Sequence, residues 1–215
     1  MRDRALRLGT ERLRVPGECL VRQGEVGGEV ILLTSGHAKV EVDLARGKTV
    51  LIAIRTGGDL VGEMGPLEVK PRSASVRACA PTRFRTIAWE EWERFQRDHP
   101  PVAIEFGRML SARLRWANER RLDAANSRRV SVRVARILGE LYAIHGRPLE
   151  VGVQLAVALT QRELASLAGV SLSAAESELR DLENGRIIRW GYRGCVLLDE
   201  PALRQRAENL DENPC

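Results

Sequence analysis

At 215 residues the chain is long enough for two modest domains, each able to bury a core without disulfide or metal support. It has no apolar stretch of membrane-helix length, and charges fill the N-terminus where a signal peptide has its apolar core, so we expect a cytoplasmic protein without a membrane partner. The formal net charge is a modest +5, and the four cysteines are too widely separated for a local zinc or iron–sulfur motif. We therefore expect reduced thiols and no metal site.

The first half of the chain has the pattern of short antiparallel strands. Turn signals recur at regular intervals from Arg12 to about Ile87. Apolar and polar residues alternate between Ala38 and Leu44, as a half-buried strand requires, and Arg46-Gly47 then turns the chain into the apolar run Val50 to Ile54. The residues predicted on the apolar face are Ala38, Val40, Val42 and Leu44. This pattern favours a compact β barrel or roll over a parallel α/β fold.

The hydrophobic period changes to a helical one after Trp89. Residues Glu90 to Arg97 predict a short helix that ends at His99-Pro100-Pro101, because the residue before a proline is displaced from the helical region. A much longer helix is predicted from about Val102, with a narrow apolar stripe at spacings of three and four. The stripe consists of Ala103, Phe106, Leu110, Leu114 and Ala117.

This stripe has two possible partners, which are the helix's own domain and the same helix of a second copy. A narrow seam on an otherwise charged helix favours the second copy, so we predict a parallel homodimer. The predicted interface residues are Phe106, Leu110, Leu114 and Ala117. Nine arginines lie between Arg108 and Arg136 against two acids, and this charge fits either a solvated helix face or a surface that meets phosphate.

The C-terminal part of the chain predicts a helix-turn-helix. Thr160 to Glu163 has the pattern of a capping box, which starts a helix that runs to Ala168. Gly169 permits the sharp turn, and Ser171 caps a second helix that ends near Asn184-Gly185. The flanking predictions are a helix over Val130 to Ile144, a β-hairpin wing over Ile187 to Trp190 and Cys195 to Leu198, and a short helix over Pro201 to Glu208.

Five segments carry motifs specific enough for comparison with known families. They are Pro16-Gly17-Glu18, Arg22-Gln23-Gly24-Glu25, Ser35-Gly36, Gly57 to Met64 and, most specific, Pro71 to Ala78. With the order of elements, they resemble the catabolite activator (cyclic AMP receptor protein) and FNR family of transcription regulators across essentially the whole chain. The resemblance implies an α+β fold with three parts. They are a cyclic-nucleotide-binding-like β-roll over 1–100, a dimerisation helix and hinge over 101–126, and a winged helix-turn-helix DNA-binding domain over 127–215.

The resemblance also implies a ligand site. In the cyclic-nucleotide-binding members, the positions of Gly62-Glu63 and Arg72-Ser73 form a phosphate-binding cassette. Arg72 would pair with the cyclic phosphate, Glu63 would accept the ribose 2′-hydroxyl, and Ser73 would donate a further hydrogen bond. The alternative is that Glu63 and Arg72 simply pair with each other. Cyclic AMP is the expected effector, and no cofactor is required.

The part of the site that would contact the base departs from the family pattern. The family's cyclic AMP receptors place a threonine and a serine or asparagine on the long helix, whereas this chain has Ala117-Asn118-Glu119. Asn118 is therefore the residue expected to contact adenine. An iron–sulfur sensor needs several cysteines near the N-terminus, where Cys19 stands alone, and the three histidines fit structural positions better than haem ligation.

The second helix of the helix-turn-helix predicts the DNA contacts. Because Ala175, Leu179 and Leu182 must face the core, the opposite side faces the major groove. That side carries Leu172, Ser173, Glu176, Ser177 and Arg180. The expected phosphate contacts are Gln161, Arg162, Ser171, Arg128-Arg129, Arg189 and Arg193. The family's guanine-reading arginines are missing, so we expect an inverted-repeat site with half-sites about one helical turn apart and an unusual, weaker base preference.

Three functional hypotheses follow. The first is a ligand-responsive homodimeric transcription regulator that binds double-stranded DNA and contacts RNA polymerase. The second is a small-molecule-binding protein whose helix-turn-helix contacts another protein, because Leu172 to Glu183 carries four acids against Arg180 alone. The third is a family member that binds DNA without a cyclic nucleotide. An enzyme is not expected, since the sequence shows no nucleophile–base pair, glycine-rich phosphate loop or metal-spaced cluster.

Overall fold

The computed structural model describes residues 5–125, 129–191 and 194–208. Contacts divide the chain after Arg115 into two compact units, which are described in turn. The first contains the predicted β-roll, and the second contains the predicted helix-turn-helix, so the α+β class is confirmed.

The first unit is built on eight strands in two antiparallel sheets. The strands are β1 (Thr10–Arg14), β2 (Cys19–Val21), β3 (Glu29–Ser35), β4 (His37–Leu44), β5 (Lys48–Thr56), β6 (Leu60–Val61), β7 (Ser75–Ala78) and β8 (Thr82–Ala88). One sheet has the order β1-β8-β3-β6 and the other β2-β7-β4-β5. Apolar side chains from both sheets, among them Leu33, Val76 and Phe84, pack in one core, and this packing makes the unit a roll.

The alternation predicted for β4 holds only at its first half. Ala38 is buried and Val40 packs against the core, but Leu44 is 48% exposed. The strand has a register shift between Val40 and Glu41, and its last residues pair with the exposed start of β5. The β4–β5 hairpin therefore runs past the edge of the core, and the expected burial of Leu44 is wrong.

Three α-helices with both ends in the described residues belong wholly or partly to the first unit. They are α1 (Met64–Glu68), α2 (Trp89–Asp98) and the first part of α3 (Pro100–Ala125). The sequence did not predict α1, and it placed the start of α3 two residues late. Pro100 and Pro101 begin α3, because the first turn of a helix needs no backbone donors from its first residues.

The second unit is a helical bundle flanked by a four-stranded sheet. Its helices after α3 are α4 (Val130–His145), α5 (Gln161–Ala168), α6 (Leu172–Asn184) and α7 (Glu200–Glu208), and its strands are β9 (Gly146–Pro148), β10 (Val153–Leu155), β11 (Ile188–Gly191) and β12 (Gly194–Leu197). The predicted wing is the β11–β12 hairpin, and β10 and β9 extend it in the order β11-β12-β10-β9. The sequence did not predict the β9–β10 hairpin.

The predicted local signals of the helix-turn-helix are confirmed. The Thr160 hydroxyl accepts from the backbone N–H of Glu163, whose carboxylate accepts from the backbone N–H of Thr160. Gly169 ends α5 with φ 63°, a left-handed conformation that favours glycine, and Ser171 accepts from the N–H of Ala174 to begin α6. These contacts fix the angle between α5 and α6.

The three cysteines within the described residues are thiols that form no disulfide. Cys19 and Cys79 are half-buried, and Cys195 is buried in β12, where burial raises the pKa of its thiol to about 12. The described parts of the chain contain no group of three or more side chains placed to hold a metal ion, and none of their helices combines the length and apolarity needed to span a bilayer.

Candidate functional site

Arg72 lies in a cradle of backbone between α1 and β7. Its Nη1 donates to the carbonyl of Gly62, and its Nη2 donates to the carbonyl of Glu29 at 2.8 Å. A Cβ on Gly27 would lie 2.6 Å from Nη2, and one on Gly62 would lie 2.8 Å from Nη1, so these two positions need glycine to leave room for the guanidinium. The side chain is only 4% exposed. The cradle therefore holds one arginine fork in a fixed place, as recognition of a phosphate requires.

Glu63 immediately precedes α1, at its N-cap position, and is buried beside a different arginine. Its Oε1 lies 2.7 Å from Nη1 of Arg113, which comes from α3. Arg113 also donates from Nη2 to the carbonyl of Leu60 at 2.6 Å and lies 3.7 Å from Oδ1 of Asp59. Glu63 and Arg72 thus pair with different residues, and these pairs replace the direct Glu63–Arg72 ion pair considered from the sequence.

Arg113 was not among the residues predicted for this site. A usable signal was present, because Phe106, Met109 and Arg113 follow the three-and-four spacing of one helix face. The first two pack against the core that contains Trp92, so the third is directed toward the same unit. A half-buried arginine on an otherwise apolar face needs an acid, and Glu63 provides it.

Arg55, at the end of β5, adds a third cation to this part of the first unit. It donates from Nη1 to the carbonyl of Ile54 at 3.1 Å. Burial and the charge of Arg113 together lower the pKa of Arg55 to about 10, while Asp59 and Glu63 act in the opposite direction. The site therefore combines several arginines with nearby carboxylates in a partly buried setting.

The other predicted ligand residues are more exposed. Ser73 is exposed, and its hydroxyl contacts Sδ of Met64 at 3.6 Å. Asn118 is exposed on the part of α3 that belongs to the second unit. The roles of Ser73 and Asn118 toward a nucleotide stay predictions.

The predicted dimer stripe divides into an inner and an outer part. Phe106 packs inside its own unit, with its ring centroid 5.9 Å from that of Trp92 and 6.5 Å from that of Trp89. Leu110 is half-buried, Leu114 is 63% exposed and Ala117 is exposed. Phe106 therefore already has a partner within the chain, whereas Leu114 and Ala117 present apolar surface outward. The dimer interface itself stays a prediction.

The predicted groove face of α6 lies opposite its buried face. Ala175, Leu179 and Leu182 are buried as the spacing required. On the other side, Ser173, Ser177 and Arg180 are exposed, and Leu172 and Glu176 are partly exposed. Of the residues expected to contact phosphate, Ser171, Arg162 and Arg189 are exposed and Gln161 is partly exposed, while Arg128 and Arg193 lie outside the described residues.

The acidic character predicted for α6 is partly internal to the fold. Glu178 is buried, and Arg206 of α7 binds its two oxygens at 2.5 and 3.1 Å. Glu183 accepts from the backbone N–H of Trp190 in β11 at 2.8 Å. Two of the four acids therefore have partners within the unit and stabilise it. Glu176 and Asp181 remain, with Arg180 nearby in sequence.

Arginines from the basic stretch also have internal roles in the second unit. Arg133 donates to the carbonyls of Ala168 and Gly169, and so caps the C-terminus of α5 at the turn. Arg136 lies 3.3 Å from Asp123 and donates to the carbonyl of Ala207 at 3.0 Å. Part of the charge that the sequence offered to solvent or to phosphate is therefore used to fix the helix-turn-helix.

Comparisons with known proteins find two families that match this chain. Residues 12–99 match the family described as Cyclic nucleotide-binding domain, and residues 132–206 match the family described as Crp-like helix-turn-helix domain. The cyclic AMP receptor protein of Thermus thermophilus is 30% identical over 201 residues, which cover 94% of this chain and 89% of that protein. A CRP-like cAMP-activated global transcriptional regulator of Mycobacterium tuberculosis is 26% identical over 191 residues, or 89% and 85% of the two chains.

A solved structure shows the same fold at lower sequence identity. The c-di-GMP responsive global regulator CLP of Xanthomonas campestris aligns with a TM-score of 0.76 at 23% identity, covering 92% of this chain and 98% of that chain. Similarity at this level bears on the fold alone. The nature of the ligand has to be argued from the side chains of the site.

Proposed function

Because the chain belongs to the catabolite activator and FNR family of transcription regulators, we propose that it acts as a homodimer whose effector is cyclic AMP. The expectation that it is not an enzyme is confirmed by its relatives, which are regulators. In this proposal residues 1–100 bind the effector, 101–126 form the dimerisation helix and hinge, and 127–215 bind an inverted repeat in double-stranded DNA. RNA polymerase is the further proposed partner, and the cytoplasm is the proposed location.

The observation that carries the effector assignment is the buried Arg72 fork in its glycine cradle. A cyclic phosphate carries one negative charge, and a guanidinium is its appropriate partner in a partly enclosed site. Glu63, held by Arg113 through one oxygen, has lone pairs to accept a ribose 2′-hydroxyl. Ser73 and Asn118 are the proposed further donors to the phosphate and the base.

The proposed regulation couples this site to the DNA-binding unit through α3. Leu110, Leu114 and Ala117 of two copies would pack along a common seam, which sets the spacing of the two α6 helices. Effector can shift that arrangement only if it binds one arrangement more tightly than the other. Each α6 would read bases through Leu172, Ser173, Glu176, Ser177 and Arg180. Gln161, Arg162, Ser171, Arg189 and Arg193 would supply phosphate contacts.

Calorimetric titration of the full chain with cyclic AMP and cyclic GMP tests the effector. The parent should bind cyclic AMP, and Arg72→Ala should weaken binding about ten- to a hundredfold, because a charged hydrogen-bond partner of an anion is lost. Arg83→Ala is the matched control, since Arg83 is exposed and its Nη1 lies 3.6 Å from Oε1 of Glu11, a surface acid in β1. If the parent binds neither nucleotide, the effector assignment fails.

Two features of α6 favour the alternative hypothesis that the helix-turn-helix contacts another protein. The start of the helix carries Leu172 and Ser173 where an arginine would read guanine, and Glu176 and Asp181 add negative charge near the groove face. A gel-shift assay on DNA selected from random sequence separates the hypotheses. Enrichment of a palindrome with strong salt dependence supports DNA binding, with or without cyclic nucleotide, and no enrichment in either condition favours a protein partner.

A further inference from the structure

We infer that Glu29 is an intramolecular counter-ion that competes with the effector phosphate for Arg72 and so sets the affinity and charge of the ligand that this site accepts. The inference rests on the proposed cyclic nucleotide function and adds a residue that the cassette does not include. Its basis is the pairing of Arg72 with Glu29, two residues 43 positions apart in the sequence.

The Arg72 side chain is held in place, whereas the Glu29 side chain is free to change its conformation. Oε1 of Glu29 lies 3.5 Å from Nη2 of Arg72, the same nitrogen that donates to the Glu29 carbonyl. The Arg72 side chain is 4% exposed and enclosed by Gly27 and Gly62, whereas the Glu29 side chain is 44% exposed. The arginine is therefore the fixed partner, and the carboxylate reaches it from the solvent side. Glu29 can rotate away while the cradle keeps its backbone contacts.

A phosphate that uses the Arg72 fork must share it with this carboxylate. Two negative charges beside one guanidinium repel each other, and the repulsion is large where water is partly excluded. Ligand binding is then an exchange in which phosphate replaces the Glu29 carboxylate on Arg72. The parent affinity is lower than the fork alone would give, because the existing contact is lost in the exchange.

The charges around Arg72 also limit the negative charge of the ligand that the site can bind. Arg72 pairs with Glu29, and Arg113 pairs with Asp59 and Glu63, which also act on the charge of Arg55. These contacts balance three cations against three anions. Exchange of Glu29 for a phosphate monoanion keeps this balance. A noncyclic monophosphate such as 5′-AMP carries close to two negative charges at neutral pH, and its binding would leave an excess of negative charge in the site. Glu29 therefore favours a cyclic phosphate over its hydrolysed form.

Glu29→Gln tests the inference because it removes the charge and keeps the size of the side chain. The main-chain carbonyl that accepts from Arg72 is retained, and so is the β3 pairing of this residue with Ala88. Glu25→Gln is the matched control, since Glu25 is an exposed acid in the loop that precedes β3, and it pairs with Arg22 at 3.9 Å. Folding of each variant is checked by circular dichroism and thermal melting.

The full-length parent and both variants are titrated calorimetrically with cyclic AMP and with 5′-AMP. Glu29→Gln should bind cyclic AMP up to about fivefold more tightly, the range for a partly exposed ion pair. The affinity of Glu29→Gln for 5′-AMP should increase by a larger factor, so that the ratio of the affinities for cyclic AMP and 5′-AMP becomes smaller than in the parent. Glu25→Gln should match the parent with both ligands.

The outcomes separate this inference from the proposed function. If the parent binds cyclic AMP and Glu29→Gln binds it equally or more weakly, the counter-ion role is wrong and the effector assignment stands. If the folded parent binds neither ligand while Glu29→Gln binds cyclic AMP, the counter-ion role is supported and cyclic AMP is not the effector of the natural chain. If neither folded protein binds either ligand, both are wrong.

Discussion

Replacement of Arg206 by leucine should destabilise the DNA-binding unit, because it leaves the buried Glu178 carboxylate without its partner. Loss of one partner from a fully buried pair costs about 3–5 kcal/mol, and loss of an exposed pair about 0–1 kcal/mol. Glu178 is 5% exposed, but the Arg206 side chain is 34% exposed and partly screened by water. We therefore expect a loss of about 2 kcal/mol, between the two ranges.

The pair also has a structural consequence for DNA binding. Glu178 lies on α6, and Arg206 lies on α7, so their two hydrogen bonds tie the predicted recognition helix to the C-terminal helix. The hydrogen bonds with Glu178 raise the pKa of Arg206, so the guanidinium stays charged throughout the neutral range. A loosened α6 should bind its DNA site more weakly even at temperatures where the unit remains folded.

Urea unfolding followed by far-ultraviolet circular dichroism measures the stability effect, and a gel shift measures the effect on DNA. Arg204→Leu is the control on the same helix, because Arg204 is 68% exposed and pairs with exposed Glu200. It should change the free energy of unfolding by about 0.5 kcal/mol or less. The double replacement Glu178→Leu with Arg206→Leu should recover much of the loss, since it removes the buried unpaired charge.

The reasoning is refuted if Arg206→Leu unfolds at the same urea concentration as Arg204→Leu, with an unchanged slope. It is also refuted if the double replacement is as unstable as the single one, because the loss would then come from packing and not from the unpaired carboxylate.

Three further predictions address the other sites. Gly27→Ala should weaken cyclic AMP binding at least about tenfold by displacing the buried guanidinium, whereas Gly28→Ala, where an added Cβ meets nothing within 4 Å, should bind as the parent does in the same calorimetric titration. Leu114→Glu should convert the proposed dimer to monomers in analytical ultracentrifugation, because this side chain is mostly exposed within its own chain and a charge there would be buried in the seam. An unchanged mass contradicts the proposed seam. Arg162→Gln should weaken binding to all DNA sequences alike, because it removes a phosphate contact. Glu176→Ala should change the preferred base at one position of a selected site. If Arg162→Gln changes the base preference and Glu176→Ala weakens binding uniformly, both proposed roles are wrong.

Much of the candidate DNA site could be predicted from the sequence because its signals are local. The capping box at Thr160, the left-handed Gly169 and the Ser171 cap each depend on residues within three or four positions of one another. Backbone geometry converts such short spacings directly into hydrogen bonds. The buried face of α6 could be predicted because the helical period is also a local signal. The position of the winged hairpin after α6 was likewise predicted from the sequence.

The effector site was predictable only as a set of residue types. The motif from Pro71 to Ala78 identified Arg72, but it did not identify Glu29 or Arg113 as partners. Glu29 lies 43 positions from Arg72 in the sequence, and Arg113 lies 50 positions from Glu63. Charge alone allows many other pairings between arginines and acids at such distances. Burial decides among them, because a charge removed from water must be paired where the fold places it.

The sequence by itself determined that a β-roll is followed by a helix-turn-helix, and it determined the caps of α5 and α6, since these depend on local periodicity and hydrogen bonding. It did not show α1 or the β9–β10 hairpin. Only the tertiary structure decided which charges are internal. It turned Phe106 toward Trp92 although its spacing also fitted a dimer seam, and it buried Glu178 against Arg206 on a helix whose charge pattern suggested exposure. A helix has several faces, and the face that becomes buried depends on neighbours that arrive from distant parts of the chain.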